Sequence, residues 1–394
     1  MRKISAHYII NPGKRPIRNG VLEIADDGTI LNLRSGNRIH EEDNLEFYSG
    51  VIIPGLVNVH CHLELSHLKN QINQNTGISR FIEQVAEKRS TQTPDNILMQ
   101  NLLFKMHQTG TQALGDIANT NNSLKAKLES PVEVHTFVEI FGLDPDKSEL
   151  IWTKGNELLQ EFQQAGLSAS MTPHAPYSVS LPLWKQFAKQ AVNPDYTLSL
   201  HNQESKDEHE FIRSHSGALA KRFINMGIAP EHFPGPAKSS PYWYHNLLPD
   251  FNKLLLIHNT FTTKEDIELL INQYPEKEIY FGLCPVSNMF IENKLPHKLV
   301  ENRKGLRLCI GTDSMASNNQ LSVWEEIKTL ARFFPDISLE ELIVMATLNG
   351  ARALGLEKKI GSFEQGKKPG VILLEGINLE KLRVENKSRS RRII

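Results

Sequence analysis

Apolar runs of strand length recur through the middle of the chain, each closed by a polar or glycine-containing break. They fall near residues 51–60, 112–116, 132–140, 167–172, 197–201, 254–258, 278–283 and 305–311, eight in all. Between them, apolar residues at helical spacing predict helices over 78–89, 96–107, 149–164, 181–190, 264–273 and 321–332. Strands that are apolar throughout belong in a parallel sheet covered on both faces. Eight strands with intervening helices predict an α/β chain whose main body is a (β/α)8 TIM barrel.

The two ends have a different texture. Short β-favouring pieces at 8–10, 21–25 and 29–33 are separated by Asn11-Pro12-Gly13, Asn19-Gly20 and Asp26-Asp27-Gly28, residues that turns require. The same alternation returns at 361–366 and 371–374. Residues 1–50 and 361–394 are therefore expected to build one small β-sandwich domain, with the barrel over 51–360. The basic stretch from Arg389 to Arg392 reads as a solvated tail or as an edge strand. Residues 233–244, rich in proline and aromatic side chains, read as a lid or as a subunit contact.

Composition narrows the classes of partner. A chain of 394 residues suits one large domain with a smaller module. Its formal net charge of -1 creates no overall field toward nucleic acid or an anionic membrane, so neither is expected as a partner. No apolar run approaches the ~18 residues of a membrane span, and Met1 to Lys14 contains no signal-peptide core. Three widely spaced cysteines, Cys61, Cys284 and Cys309, suggest a reducing compartment, hence the cytoplasm. A homo-oligomer remains open.

Candidate chemistry collects at strand ends. Side chains alternate along a strand, so His60 and His62 share one face while Cys61 points to the other, and two imidazoles on one face can share an ion. His201, His258 and Asp313 each close another apolar strand, and His174 follows a further one. Barrel enzymes carry their reacting groups at the C-terminal ends of the strands, so these residues should converge on one mouth. Glu204 lies just beyond His201. It either turns back over that mouth or opens a solvated acidic run with Asp207, Glu208 and Glu210.

Several segments resemble one family. Pro54-Gly55-Leu56-Val57-Asn58 ahead of His60-Cys61-His62 is similar to the first strand of the amidohydrolase superfamily, in its branch of hydrolytic deaminases and chlorohydrolases. Thr172-Pro173-His174-Ala175-Pro176-Tyr177-Ser178 resembles its fourth strand and His201-Asn202-Gln203-Glu204 its fifth. Cys284-Pro285-Val286-Ser287-Asn288 resembles the loop after the seventh strand, and Gly311-Thr312-Asp313-Ser314 the eighth. The resemblance covers nearly the whole chain.

The resemblance implies that His60, His62, His201 and Asp313 bind one divalent metal ion, zinc first and iron as the alternative. It further implies that Asp313 takes a proton from water, that His258 orients the resulting hydroxide, and that Glu204 carries a proton to a substrate ring nitrogen. The fourth strand lacks the lysine that two-metal relatives use, which implies a mononuclear site and leaves His174 to contact substrate or to bond loop backbone. The loop from Leu63 to Leu68 is similar to that of aminofutalosine deaminases. Glu64 would then meet a sugar hydroxyl or ring group, or else cap a helix or pair with Lys69. Arg80 would reach a substrate carboxylate or remain at the surface. The implied reaction is hydrolytic deamination of an aminated heterocycle, purine nucleoside-like, with release of ammonia. Aminofutalosine, adenosine-type thioethers and guanine are the candidates in that order. The alternative is hydrolysis of a carbon-chlorine or cyclic amide bond at the same metal site.

Overall fold

The computed structural model describes residues 1–36, 43–189, 193 and 196–394. Its first five strands are β1 (Arg2–Ile9), β2 (Ile17–Arg18), β3 (Val21–Ile24), β4 (Ile30–Arg34) and β5 (Leu45–Pro54). The apolar stretch expected to be one strand over 51–60 serves two sheets. Val51 to Pro54 finish β5, and the chain changes sheet at Gly55, beyond the expected boundary between 50 and 51. Gly55 donates its N–H to Pro369 O at 2.9 Å, and any Cβ there would collide with that carbonyl.

Eight parallel strands follow: β6 (Leu56–Cys61), β7 (Thr111–Ala118), β8 (Glu133–Ile140), β9 (Ser168–Pro173), β10 (Thr197–Asn202), β11 (Lys253–His258), β12 (Glu278–Leu283) and β13 (Arg307–Ile310). They pair in sequence order as two four-stranded sheets, β6 to β9 and β10 to β13. At one junction His201 N donates to His174 O at 2.9 Å, and at the other Asp313 N donates to His60 O at 3.0 Å. Val57, Val59, Phe137, Leu255, Ile257 and Tyr280, drawn from both sheets, form one buried cluster. The expected helices are present within a residue or two of their bounds, for example Gly77–Arg89 and Ser148–Gln164. The helix expected over 181–190 spans Leu181–Lys189, and Gln190 lies outside the described residues.

The chain's last strands are β14 (Val371–Glu375) and β15 (Arg389–Arg392). They complete a seven-stranded sheet in the order β15-β14-β5-β1-β3-β4, with β2 beside β1, so both chain ends do share one sheet. The basic stretch is an edge strand rather than a solvated tail. Arg392 donates from Nε to His107 O at 2.8 Å and from Nη2 to Thr111 O at 3.0 Å, which ties this sheet to the start of β7.

Within 233–244, Phe233 and Tyr244 are buried while Pro236 and Lys238 are exposed. Phe233 lies 4.8 Å from the Phe211 ring, and Tyr244 Oη donates to Asn202 Oδ1 at 3.0 Å. Among the described residues no helix is long and apolar enough to cross a membrane.

Candidate active site

The end of β6 sets the geometry. Cys61 packs among Leu63, Met99 and Leu114, whereas His60 and His62 face each other with their Nε2 atoms 3.2 Å apart. Asp313 Oδ1 lies 3.8 Å from His60 Nε2 and 3.5 Å from His62 Nε2. The His201 ring centroid is 4.7 Å from that of His60, and its Nδ1 bonds the His174 carbonyl at 3.0 Å, leaving Nε2 free. One donor atom from each of His60, His62 and His201 lies within 4.8 Å of the others, close enough for all three to hold a metal ion.

The residues fit such an ion. Two imidazole Nε2 atoms facing each other at hydrogen-bond distance beside a carboxylate have one proton at most between them, while a cation would take both lone pairs and the carboxylate oxygen. Burial pushes the His60 imidazole well below its usual pKa, and neighbouring imidazoles push it further; burial also lowers His62. Both are then neutral, the state that coordination requires. His201 differs. Burial alone would lower it, but the Glu139 carboxylate, 3.3 Å from Nδ1, overrides this and pushes it up to about 9, so a cation binding at Nε2 would displace a proton there. Burial raises the Asp313 carboxyl, but His62, His258 and the hydroxyls of Ser287 and Ser317 outweigh it and hold it below the usual range.

Backbone strain marks the same place. His258 and Asp313 have φ of 71° and 56°, and Gln203, just before Glu204, has 47°. Non-glycine residues in this region cost about 1–3 kcal/mol each and persist where surrounding contacts impose them. For Glu204 those contacts come from Glu208, whose carboxylate accepts from Gln203 N at 3.0 Å and Glu204 N at 2.9 Å. The acidic run is therefore not a solvated face throughout: Glu208 is fully buried and Glu204 nearly so. Burial pushes the Glu204 carboxyl well above its usual value, with Asp313 and Glu208 adding to the effect against His201. Its Oε1 lies 3.5 Å from His258 Nε2.

These groups open into a cavity of about 460 Å³. His62, His174, His201, Glu204, His258 and Asp313 line it, together with Phe81, Val85, Leu219 and Phe223. A larger hollow of about 560 Å³, lined by Lys14, Arg303 and Glu340 among others, contains no histidine and none of the groups above. His174 bonds Ser178 Oγ through Nδ1 at 2.6 Å, and burial lowers its pKa to about 3.

Two residues expected to touch substrate lie elsewhere. Glu64 is buried outside the cavity lining, with Oε2 accepting from Asn119 N and Oε1 from the Thr120 N–H and hydroxyl, so both oxygens are engaged. Arg80 is half exposed on its helix and pairs with Glu83. The cavity instead contains Arg89, further along that helix, and Arg222. Glu139 was missed by sequence reasoning, because β8 also contains Glu133, His135 and Thr136, among which one more polar side chain does not stand out. Ser317, and the individual roles of Ser287 and Asn288, carried no signal without the fold.

Imidazoles and carboxylates gathered at parallel strand ends above one cavity define a site that can hold a cation and pass protons. The chain belongs to the amidohydrolase family, whose model matches residues 51–393. A 5-methylthioadenosine/S-adenosylhomocysteine deaminase from Moorella thermoacetica is 27% identical over 344 residues, covering 82% of this chain and 73% of that protein. An aminodeoxyfutalosine deaminase from Nitratiruptor sp. is 28% identical over 350 residues, covering 85% and 80%. Among solved structures, Helicobacter pylori aminofutalosine deaminase in complex with methylthio-coformycin superimposes with a TM-score of 0.78 at 21% identity, over 95% of this chain and 92% of that one.

Proposed function

We propose that this protein catalyses hydrolytic deamination of an aminated, purine nucleoside-like heterocycle, with one divalent metal ion, zinc before iron, at the mouth of the parallel strands. One observation carries the reading: a cluster of imidazoles able to hold a cation and a buried carboxyl, Glu204, whose pKa burial raises, face the same cavity. His60, His62, His201 and Asp313 would hold the ion. An ion there would acidify water, so that hydroxide is available near neutral pH.

The chain's own groups supply the remaining steps. Asp313 Oδ1, turned toward the imidazoles, accepts the proton of the attacking water. His258 presents Nε2 beside Glu204 and orients the hydroxide. Glu204, whose carboxyl burial pushes well above its usual value, gives a proton to the ring nitrogen next to the attacked carbon. A C–O bond forms, the proton held by Asp313 passes to the amino nitrogen, the C–N bond breaks with release of ammonia, and the hydroxyl proton of the adduct returns to Glu204 as the carbonyl forms. His174 and the apolar wall of Phe81, Val85 and Phe223 hold the base, and Arg80 and Glu64 have no part in substrate contact.

The names of the relatives support a purine nucleoside, with aminofutalosine first and adenosine-type thioethers next. The same reading includes a closed (β/α)8 barrel, supported by the hydrogen bonds at both sheet junctions, and a small β-sandwich domain from the two chain ends. A cytoplasmic location is supported by three buried, unpaired cysteines.

The test is incubation of the metal-loaded protein with aminofutalosine, 5'-methylthioadenosine, adenosine and guanine, with ammonia as the readout. Release of ammonia from a nucleoside is the expected result. Turnover of chlorinated or cyclic amide substrates alone, or of nothing, would overturn the reading.

A further inference from the structure

Two consecutive residues, Ser287 and Asn288, sit in the first turn of the helix Pro285–Glu292 that follows β12, and both are buried. Each reaches a different strand end. Asn288 Oδ1 lies 2.9 Å from His258 Nδ1, and Asn288 Nδ2 donates to the His258 carbonyl at 3.3 Å. Ser287 Oγ donates to Asp313 Oδ2 at 2.6 Å, as does Ser317 Oγ, also at 2.6 Å.

The geometry points to Ser287-Asn288 as a positioning pair that fixes the tautomer of His258 and the orientation of Asp313 from a single helical turn. An amide whose nitrogen is committed to the His258 carbonyl can offer only its oxygen to the ring. Nδ1 must then carry the hydrogen, and Nε2 faces the cavity as an acceptor 3.5 Å from Glu204. On the other side, two hydroxyl donors saturate Asp313 Oδ2. Oδ1 alone is left for the imidazoles of His60 and His62. Both clamped residues have left-handed φ, so without the clamp each strand end has a cheaper backbone conformation to relax into. Because Ser287 and Asn288 are adjacent on one rigid turn, the separation of the two proton-handling groups is set by the helix rather than by either loop.

This inference rests on the reaction proposed above, and its test separates the two. The first readout needs no turnover: the ring-nitrogen NMR of zinc-loaded, ¹⁵N-histidine-labelled protein, with the His258 signals assigned by their loss in His258→Gln. The wild type should show one neutral tautomer protonated at Nδ1. Asn288→Leu should shift His258 toward Nε2 protonation, and Asn288→Asp should restore the wild-type tautomer. An unchanged His258 spectrum in Asn288→Leu, with bound zinc intact, would overturn the inference whether or not the substrate assignment holds.

Kinetics provide the second readout. Asn288→Leu should lower kcat roughly tenfold to a hundredfold, the range for groups that orient a reacting side chain, with KM nearly unchanged. Asn288→Asp should recover most of that loss, and Ser287→Ala should lower kcat with zinc still bound. Should Asn288→Leu fail to fold, the Ser287→Ala and Asn288→Asp proteins decide alone: wild-type kcat in the former together with an altered tautomer in the latter would contradict the pair. Failure of the wild type to release ammonia would reject the proposed reaction and leave the tautomer result standing.

Discussion

Glu204 Oε1 lies 3.5 Å from Nε2 of His258, on a turn where Gln203 is held at an uncommon φ by the Glu208 carboxylate, which accepts from the backbone N–H groups of Gln203 and Glu204. A carboxyl raised by burial and aimed into a cavity is suited to donating a proton. Glu204→Gln keeps the shape and removes the proton. Ammonia release should fall by about 10²–10⁴-fold, the usual worth of a positioned acid, with metal content unchanged. Steady-state kinetics beside elemental analysis check this, and undiminished activity would remove Glu204 from the mechanism.

Glu139 stands behind His201, one of the three imidazoles close enough to share an ion. Its carboxylate is 3.3 Å from His201 Nδ1 and is itself held by Asn119 Nδ2 at 3.2 Å. A carboxylate behind a ligating imidazole orients the ring and raises its basicity. Glu139→Gln should therefore weaken metal affinity about 10–100-fold, measured by competition with a chelator. Affinity equal to wild type would mean that Glu139 does not act through His201.

A buried ion pair lies beside the end of β6. Lys127 Nζ is 2.6 Å from Asp116 Oδ2 and donates to Thr136 Oγ1 at 3.0 Å, and Asp116 Oδ1 accepts from Leu63 N at 2.8 Å, immediately after His62. Removing one partner leaves a buried charge uncompensated. Lys127→Met should lower stability by about 3–5 kcal/mol in urea unfolding, and adding Asp116→Asn should recover part of it. A loss below about 1 kcal/mol, no larger than that of an ordinary surface pair, would contradict the buried pair.

His135 lies apart from the cation site, between Ser168 Oγ at 2.8 Å and Ser170 Oγ at 2.9 Å. Burial, helped by Lys127, lowers its pKa from 6.5 to about 4. Below pH 6.5 the unfolded chain gains a proton that the folded one refuses until about pH 4, so stability is full above 6.5 and falls as pH drops through this window. That single group accounts for a loss of about 3 kcal/mol by pH 4. In His135→Gln protein, denaturant midpoints measured from pH 7 to pH 4 should decline less by a similar amount. Identical slopes in the two proteins would rule this out.

Much of this was legible because a strand buried on both faces must be apolar along its whole length, and its polar terminus then stands out. The positions of His60, His62, His201, His258 and Asp313 at or just beyond strand ends could be read in that way, and that of Glu204 by its place just beyond one of them. The sheet change at Gly55 was not legible, since the chain is apolar on both sides of it and the deciding partner, β14, lies at the far end of the sequence. Glu208 looked like helix surface because nothing local shows that two backbone N–H groups of the preceding turn point at it. Glu64 was misplaced for the same reason, its partners Asn119 and Thr120 being supplied by the loop after β7. The Arg80–Glu83 pair, by contrast, was open to view at i, i+3 spacing.

The most direct measurement is the elemental content of wild-type and His62→Ala protein, purified identically and dialysed against metal-free buffer. Close to one zinc or iron per wild-type chain is expected, and little or none in His62→Ala protein that remains folded by circular dichroism. Wild-type protein without a stoichiometric divalent ion, or His62→Ala protein that retains a full equivalent, would contradict it.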